Sequence, residues 1–222
     1  MAFLDRKYLP YYFIVLAVLA VYLQTLAFGF IQLDDPKHIF ENPVMLEPRL
    51  AGLWTIWSAP YFGLYIPVTY SFWWLLSWVS HSPVWFHFAN ILLHLANAIL
   101  CFRLIVEILK RDFPSSFLFP ALAGALFFAL HPIQTQAVTW ISTTKDLLSG
   151  FFSLLALLAW SRQSREEKWQ LAGTLAAVFY VFSFLAKPSS ALLPALAWLL
   201  FPSASKLKVR NRKALGLGFL LV

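Results

Sequence analysis

The chain has 222 residues, of which 60% are apolar and only 12% charged, and its mean hydropathy is +0.71. A soluble domain carries about 25% charged residues, so this composition excludes a protein that faces water on all sides. The net charge of +7 is not a nucleic-acid footprint, because the bases fall in short loops between apolar runs, as the positive-inside bias places them. Membrane lipid is the expected surrounding, and no nucleic acid is expected as a partner. The apolar runs lie at about 8–31, 66–80, 86–109, 117–133, 147–160, 169–186 and 188–202, and a last one starts at Ala214 and stops at Val222. Arg6 and Lys7 precede the first run. That run is too long for a signal peptide and has no small-x-small cleavage site, so it reads as an uncleaved spanning helix.

A spanning helix needs about 20 residues. The run 66–80 is shorter, starts at Pro67 and carries Trp73, Trp74 and Trp78, which fits a helix lying in the interface. Charge counting agrees with that reading when the N-terminus is cytoplasmic. Four bases, Lys37, Arg49, Lys145 and Lys187, then lie outside, and the other 13 of the 17 lie inside. A topology with 66–80 crossing and the N-terminus outside gives the same split, but Arg6 and Lys7 before the first helix favour the first arrangement. The predicted fold class is therefore all-α, a multi-pass transmembrane helical bundle. Residues 1–222 form a single transmembrane domain, expected to be truncated in its last helix, and 32–85 form a large first extracytoplasmic loop with an interfacial helix. The linker 161–168 and the basic stretch 203–213 read as ordinary cytoplasmic loops. The lone Cys101 allows no disulfide and no CxxC site.

This topology gathers the informative polar residues on the outer face: Asp34 and Asp35 after the first helix, His131 before Pro132, Lys145 and Asp146 before the fourth span, and Lys187 before Pro188. Ionisable residues at membrane depth are functional candidates by default, and short spans with polar ends leave room for a wet cavity. Each residue also has a plainer reading. Asp35 before Pro36 suits a helix cap, His131 can simply end a helix, Lys145 and Asp146 can form a surface ion pair, and Lys187 can snorkel. His87, Asn90, His94 and Asn97 form one polar stripe on a spanning helix, expected to pack against other helices. The stripe offers too few ligands for a metal site.

Several blocks of residues together are more specific. They are Leu33-Asp34-Asp35, Asn42-Pro43, the run from Tyr61 to Thr69, the run from Phe86 to Ala98, Ala129-Leu130-His131-Pro132-Ile133, Ala137 to Ser142, Lys145 to Ser149, and Leu185-Ala186-Lys187-Pro188. In this order they resemble the membrane part of the GT-C glycosyltransferases, in particular the transmembrane-and-TPR-containing O-mannosyltransferase-like group and its bacterial relatives. The similarity runs from about residue 10 to 200. It implies transfer of a hexose, mannose-like, from a polyprenyl-phosphate donor to an acceptor hydroxyl of a protein or glycan, with inversion. It also implies an acidic catalytic residue in the first outer loop, which falls on Asp34 or Asp35. Ile66 stands where many relatives carry Arg, and the later helices and TPR repeats of the family do not follow in this sequence.

Under that resemblance one aspartate takes the acceptor proton, and the residue types do not distinguish Asp34 from Asp35. The leaving lipid phosphate calls for positive charge, for which His131, Lys145 and Lys187 are candidates, with Asp146 positioning Lys145 or the acceptor. No metal ligand set is proposed, and the need for a divalent metal is left open. The expected location is a bacterial cytoplasmic membrane with the site outward, or an internal membrane with a luminal site. The competing readings are a transporter or lipid flippase and a non-catalytic membrane scaffold.

Overall fold

The computed structural model describes residues 7–163 and 169–201, and for Arg111, Asp112, Gln163 and Trp169 the backbone alone. The linker residues 164–168, the basic stretch 203–213 and the apolar run from Ala214 lie outside the described residues. Among those described, the chain is all-helical; its only strand-like pairing is an isolated bridge between Tyr61 and Leu64.

Helix α1, Leu9–Tyr22, has a proline in its first turn and no charged residue, and a 3-10 turn, Leu23–Ala27, extends it. A backbone surrounded by lipid must satisfy its own hydrogen bonds, which this continuous helical run does. Four small helical pieces follow in the loop: a π turn Pro36–Phe40, α2 Pro43–Leu46, α3 Leu50–Ser58 and α4 Pro67–Val79. Asn42 starts α2, its side-chain oxygen accepting from Val44 N–H at 3.0 Å. Helix α5, Pro83–Asp112, opens with proline at its first position. Its 30 residues measure about 45 Å, so it tilts within a core of about 30 Å or protrudes from it.

Helix α6, Leu118–Leu130, and α7, Ile133–Thr139, are two parts of one apolar segment, bent by 61° at His131 and Pro132. A 3-10 turn, Ile141–Thr143, leads into α8, Thr144–Gln163. Helix α9 is Trp169–Ala186, and a 3-10 turn, Pro188–Leu192, joins it to α10, Leu193–Leu200. Among the described residues, three segments are long and apolar enough to cross a membrane: Leu9–Ala27, Pro83–Lys110 and Ile141–Arg162. The bent α6–α7 pair makes a fourth if it counts as one span, and Gln170–Ala186 and Pro188–Leu200 are shorter apolar segments. The chain is an integral membrane protein. The expected first run ends earlier than residue 31, and the expected run 117–133 continues past its break at His131 and Pro132 to Thr139.

Two packing centres matter for the site. In the bundle, Ile14, Val18 and Tyr22 of α1 meet Ile91, Ala98 and Phe102 of α5 and the alanines Ala121, Ala125 and Ala129 of α6. Alanine every fourth residue keeps one face of α6 smooth, so neighbouring backbones approach closely. In the loop, Ile39, Met45, Ile66, Tyr70 and Trp73 pack with Phe86 of α5 and with Ile141. The loop is thus seated on the end of the bundle. Helix α4, at 13 residues, is about 20 Å long, too short to cross the hydrocarbon. Its first turn is tied down where Thr69 Oγ1 donates to Ala186 O at 2.9 Å, and Val68 packs on Leu148 and Ala186.

The polar stripe of α5 has a definite role. His87, Asn90, His94 and Asn97 follow a spacing of three, four and three residues, so they share one face, and none is more than 2% exposed. Each reaches a backbone carbonyl on another segment. His87 Nε2 meets Gly29 O at 3.4 Å, Asn90 Nδ2 donates to Val138 O at 3.3 Å, His94 Nε2 to Ala129 O at 2.9 Å, and Asn97 Nδ2 to Leu147 O at 2.9 Å. The break at Pro132 leaves Ala129 O without its usual i+4 amide, since Ile133 N–H turns to His131 Nδ1 at 3.2 Å. Tyr22 OH and His94 take that carbonyl instead. A carbonyl only accepts, so Nε2 carries the proton in neutral His94. The stripe is the polar seam that permits a broken span within the bundle.

Candidate functional site

Asp34 and Asp35 leave the first spanning segment side by side, yet their surroundings differ. Asp35 is fully buried. Its Oδ2 accepts from Ile31 N–H at 2.8 Å, and its Oδ1 accepts from Ser142 N–H at 2.8 Å and from the Ser142 hydroxyl. It occupies the N-cap position before Pro36, but its side chain makes no capping bond. The carboxylate instead pins the turn before α8 to the end of the first span, across 107 residues of sequence. Asp34 is half-buried and makes no side-chain hydrogen bond or ion pair among the described residues, so its lone pairs stay available.

Lys145, in the first turn of α8, is half-buried and also lacks a hydrogen bond or ion pair among the described residues. The charges that act on it are Asp34, Lys187, Asp146 and Asp35. Asp146 does not pair with its neighbour Lys145; it forms an ion pair and hydrogen bond with Lys187, from the end of α9. The α8 start and the α9 end are therefore locked together, and Lys145 is left without an ion pair to any described residue. Asp34, Asp35, Lys145, Asp146 and Lys187 form one electrostatic cluster, whereas His131 stands apart. His131 ends α6, its Nδ1 accepts from Ile133 N–H, and its ring lies edge-on to Phe127 at 5.0 Å.

Three further residues join the cluster. Ser142 holds Asp35, as described. His38 is buried, and its Nδ1 lies 2.8 Å from Tyr70 OH. Burial lowers the His38 pKa below its ordinary value, the positive charge of Lys145 lowers it further, and Asp34 and Asp35 oppose the shift. Burial likewise raises the Tyr70 hydroxyl, helped by Tyr61, so the pair is a neutral imidazole and a protonated phenol. His38 lies four residues after Asp34, and its N–H donates to Asp34 O at 3.1 Å. That i+4 spacing was the sequence signal that could have marked it. Phe62 lies edge-on to His38 at 5.6 Å between ring centroids. Phe62 and Gly63 both have positive φ, 45° and 72°, in a turn closed by Tyr61 N–H to Leu64 O and Leu64 N–H to Tyr61 O. A left-handed phenylalanine stores about 1–3 kcal/mol of strain, offset here by the turn's bonds. Ile66 is part of the loop core and presents no charge. No group of three or more His, Cys, Asp or Glu side chains placed to hold a metal occurs among the described residues.

The fold and this cluster define a multi-pass helical membrane protein with acidic and basic groups assembled where a folded loop meets the ends of the spans. By sequence the chain is a distant homologue of the TMTC-type protein O-mannosyl-transferases. It is 31% identical to a protein O-mannosyl-transferase of Caenorhabditis elegans over 148 residues, which is 62% of this chain and 21% of the relative. It is 30% identical to human protein O-mannosyl-transferase TMTC3 over 160 residues, 67% of this chain and 16% of the relative. With human TMTC4 the identity is 33% over 106 residues, 45% and 14% of the two chains. The matched region thus spans about a fifth or less of these relatives' length. No family model and no solved structure matches the chain.

Proposed function

We propose that this chain is the membrane part of a glycosyltransferase that moves a hexose from a polyprenyl-phosphate donor to an acceptor hydroxyl, at the extracytoplasmic face. The observation that carries the reading is a carboxylate, Asp34, and an ammonium, Lys145, that act on each other electrostatically at one end of the spans, with no ion pair or side-chain hydrogen bond to any described residue. The homology to O-mannosyl-transferases supports the transferred sugar and the lipid-linked donor. A polyprenyl tail stays in lipid, so its phosphate must be handled at the membrane boundary.

In this account Asp34 is the general base. It takes the acceptor O–H proton while that oxygen attacks C1 of the sugar. The C1–O bond to phosphate breaks, its electron pair leaves with the lipid phosphate, and the anomeric centre inverts. General-base help of this kind is worth roughly 10²–10⁴-fold. Lys145 faces the growing negative charge on the leaving phosphate as a point charge. Asp35 is a positioning residue, since its oxygens are already engaged by Ile31 and Ser142. The Lys187–Asp146 pair holds the α8 and α9 ends together, and His131 braces the α6–α7 bend.

The reading is tested with radiolabelled polyprenyl-phosphate mannose in proteoliposomes that carry the protein. Label appearing on an acceptor, and reduced by Lys145→Met, supports the transferase. Donor that crosses the bilayer intact, with no label on any acceptor, supports a flippase and overturns it.

A further inference from the structure

At the other end of the bundle, α5, α8 and α9 line a half-open cavity of about 340 Å³, within the range of about 300–1,000 Å³ typical of ligand sites. Its walls are apolar, with Leu155 and Leu158 from α8 and Leu175 and Phe179 from α9, and two arginines, Arg103 of α5 and Arg162 of α8, line it. Among the described residues, neither guanidinium has an ion pair or hydrogen bond and no acidic side chain lines the cavity. Arg162 lies 17 positions beyond Lys145 on the same helix, or about 25 Å along its axis. The cavity and the Asp34–Lys145 cluster therefore sit near opposite boundaries of a hydrocarbon core about 30 Å thick.

We infer that this cavity binds the phosphate headgroup of an anionic phospholipid, with its acyl chains against the leucine and phenylalanine walls. A guanidinium presents a planar fork of donors that matches phosphate oxygens, and here two of them line one cavity with no ion pair or hydrogen bond to another described residue. Topogenic arginines need only point to water; these two share one concavity whose other walls suit hydrocarbon. Basic pockets between spanning helices at a membrane boundary are suited to lipid headgroups. A soluble anion would gain nothing from the apolar walls, and an acidic protein segment would leave them unfilled.

The test uses the purified, delipidated protein, offered equal amounts of phosphatidylglycerol and phosphatidylcholine in mixed micelles, with retained lipid counted by native mass spectrometry. Each basic residue near an anionic lipid surface contributes a factor of about five in binding. Phosphatidylglycerol is thus expected to be retained roughly 25-fold over phosphatidylcholine, about five-fold less in Arg103→Gln or Arg162→Gln, and without preference in the double variant. Replacing both by lysine keeps part of the preference, and Leu175→Glu, at a half-exposed wall position, lowers it with both arginines intact. Inorganic phosphate in large excess should leave the lipid in place. Unchanged preference in the double glutamine variant overturns the inference. So does a Leu175→Glu chain that still selects phosphatidylglycerol, or displacement of the lipid by phosphate alone, which would make this a soluble-anion site.

Discussion

Replacing Asp35 by asparagine should damage the fold, while the same change at Asp34 should not. Asp35 accepts three hydrogen bonds from Ile31 and Ser142. Turning the acceptor neutral weakens each of the two bonds it can keep by about 1 kcal/mol. The asparagine amide must also point a donor at one of the two backbone N–H groups, leaving that amide unsatisfied at a cost of about 1–3 kcal/mol. The sum is about 3–5 kcal/mol, and at about 2–4 °C per kcal/mol for a chain of this size the apparent Tm should fall by about 10 °C. Asp34→Asn breaks no side-chain hydrogen bond, so its Tm should stay within about 2 °C of the parent. The assay is thermal unfolding in detergent, followed by a thiol-reactive fluorophore on Cys101, the chain's single cysteine. Equal losses from the two substitutions, or a larger loss from Asp34→Asn, would refute the division of roles.

The polar seam predicts that Asn90→Ala, which removes the donor to Val138 O and leaves the Thr144 hydroxyl only Ile141 O as acceptor, costs about 1–2 kcal/mol, read as a Tm loss in the same assay. Gly52 packs so closely that an added Cβ would stand 2.8 Å from Val44 Cγ1, so Gly52→Ala should destabilise the loop by about 1–3 kcal/mol and redden the tryptophan emission at lower temperature. His38 has a lowered pKa when folded, so the unfolded chain binds its proton first as the pH falls. Stability should therefore drop as pH falls below about 6.5, toward the folded pKa. His38→Gln should flatten that part of the Tm–pH curve.

The membrane architecture was legible because composition decides it: few charges and long apolar runs leave helices as the available way to satisfy the backbone. The stripe of His87, Asn90, His94 and Asn97 was legible as packing because its spacing places all four on one face. The cluster of Asp34, Lys145, Asp146 and Lys187 was legible only as a gathering on one boundary. Sequence neighbours suggested that Lys145 would pair with Asp146, but consecutive residues on a helix point about 100° apart. Asp146 therefore meets Lys187 across the α8–α9 contact. The difference between Asp34 and Asp35 was not legible at all. It arises from Ser142, more than a hundred residues away, and from the loop turn that brings Ile31 N–H onto the same carboxylate. His38 and Tyr70 were missed because the i+4 spacing from Asp34 to His38 tells only if the loop is helical there, and the pairing with Tyr70, 32 residues on, depends on the fold of the loop.

The most direct test of the central claim is the rate of sugar transfer from radiolabelled polyprenyl-phosphate mannose in proteoliposomes, measured for the parent chain and for Asp34→Asn. Equal folded protein is set by the Cys101 melting curve, and Asp35→Asn is included at matched folded amount. The account predicts a loss of roughly 10²–10⁴-fold for Asp34→Asn with an unchanged Tm, and a much smaller loss per folded molecule for Asp35→Asn. Transfer that survives in Asp34→Asn at the parent rate would contradict it.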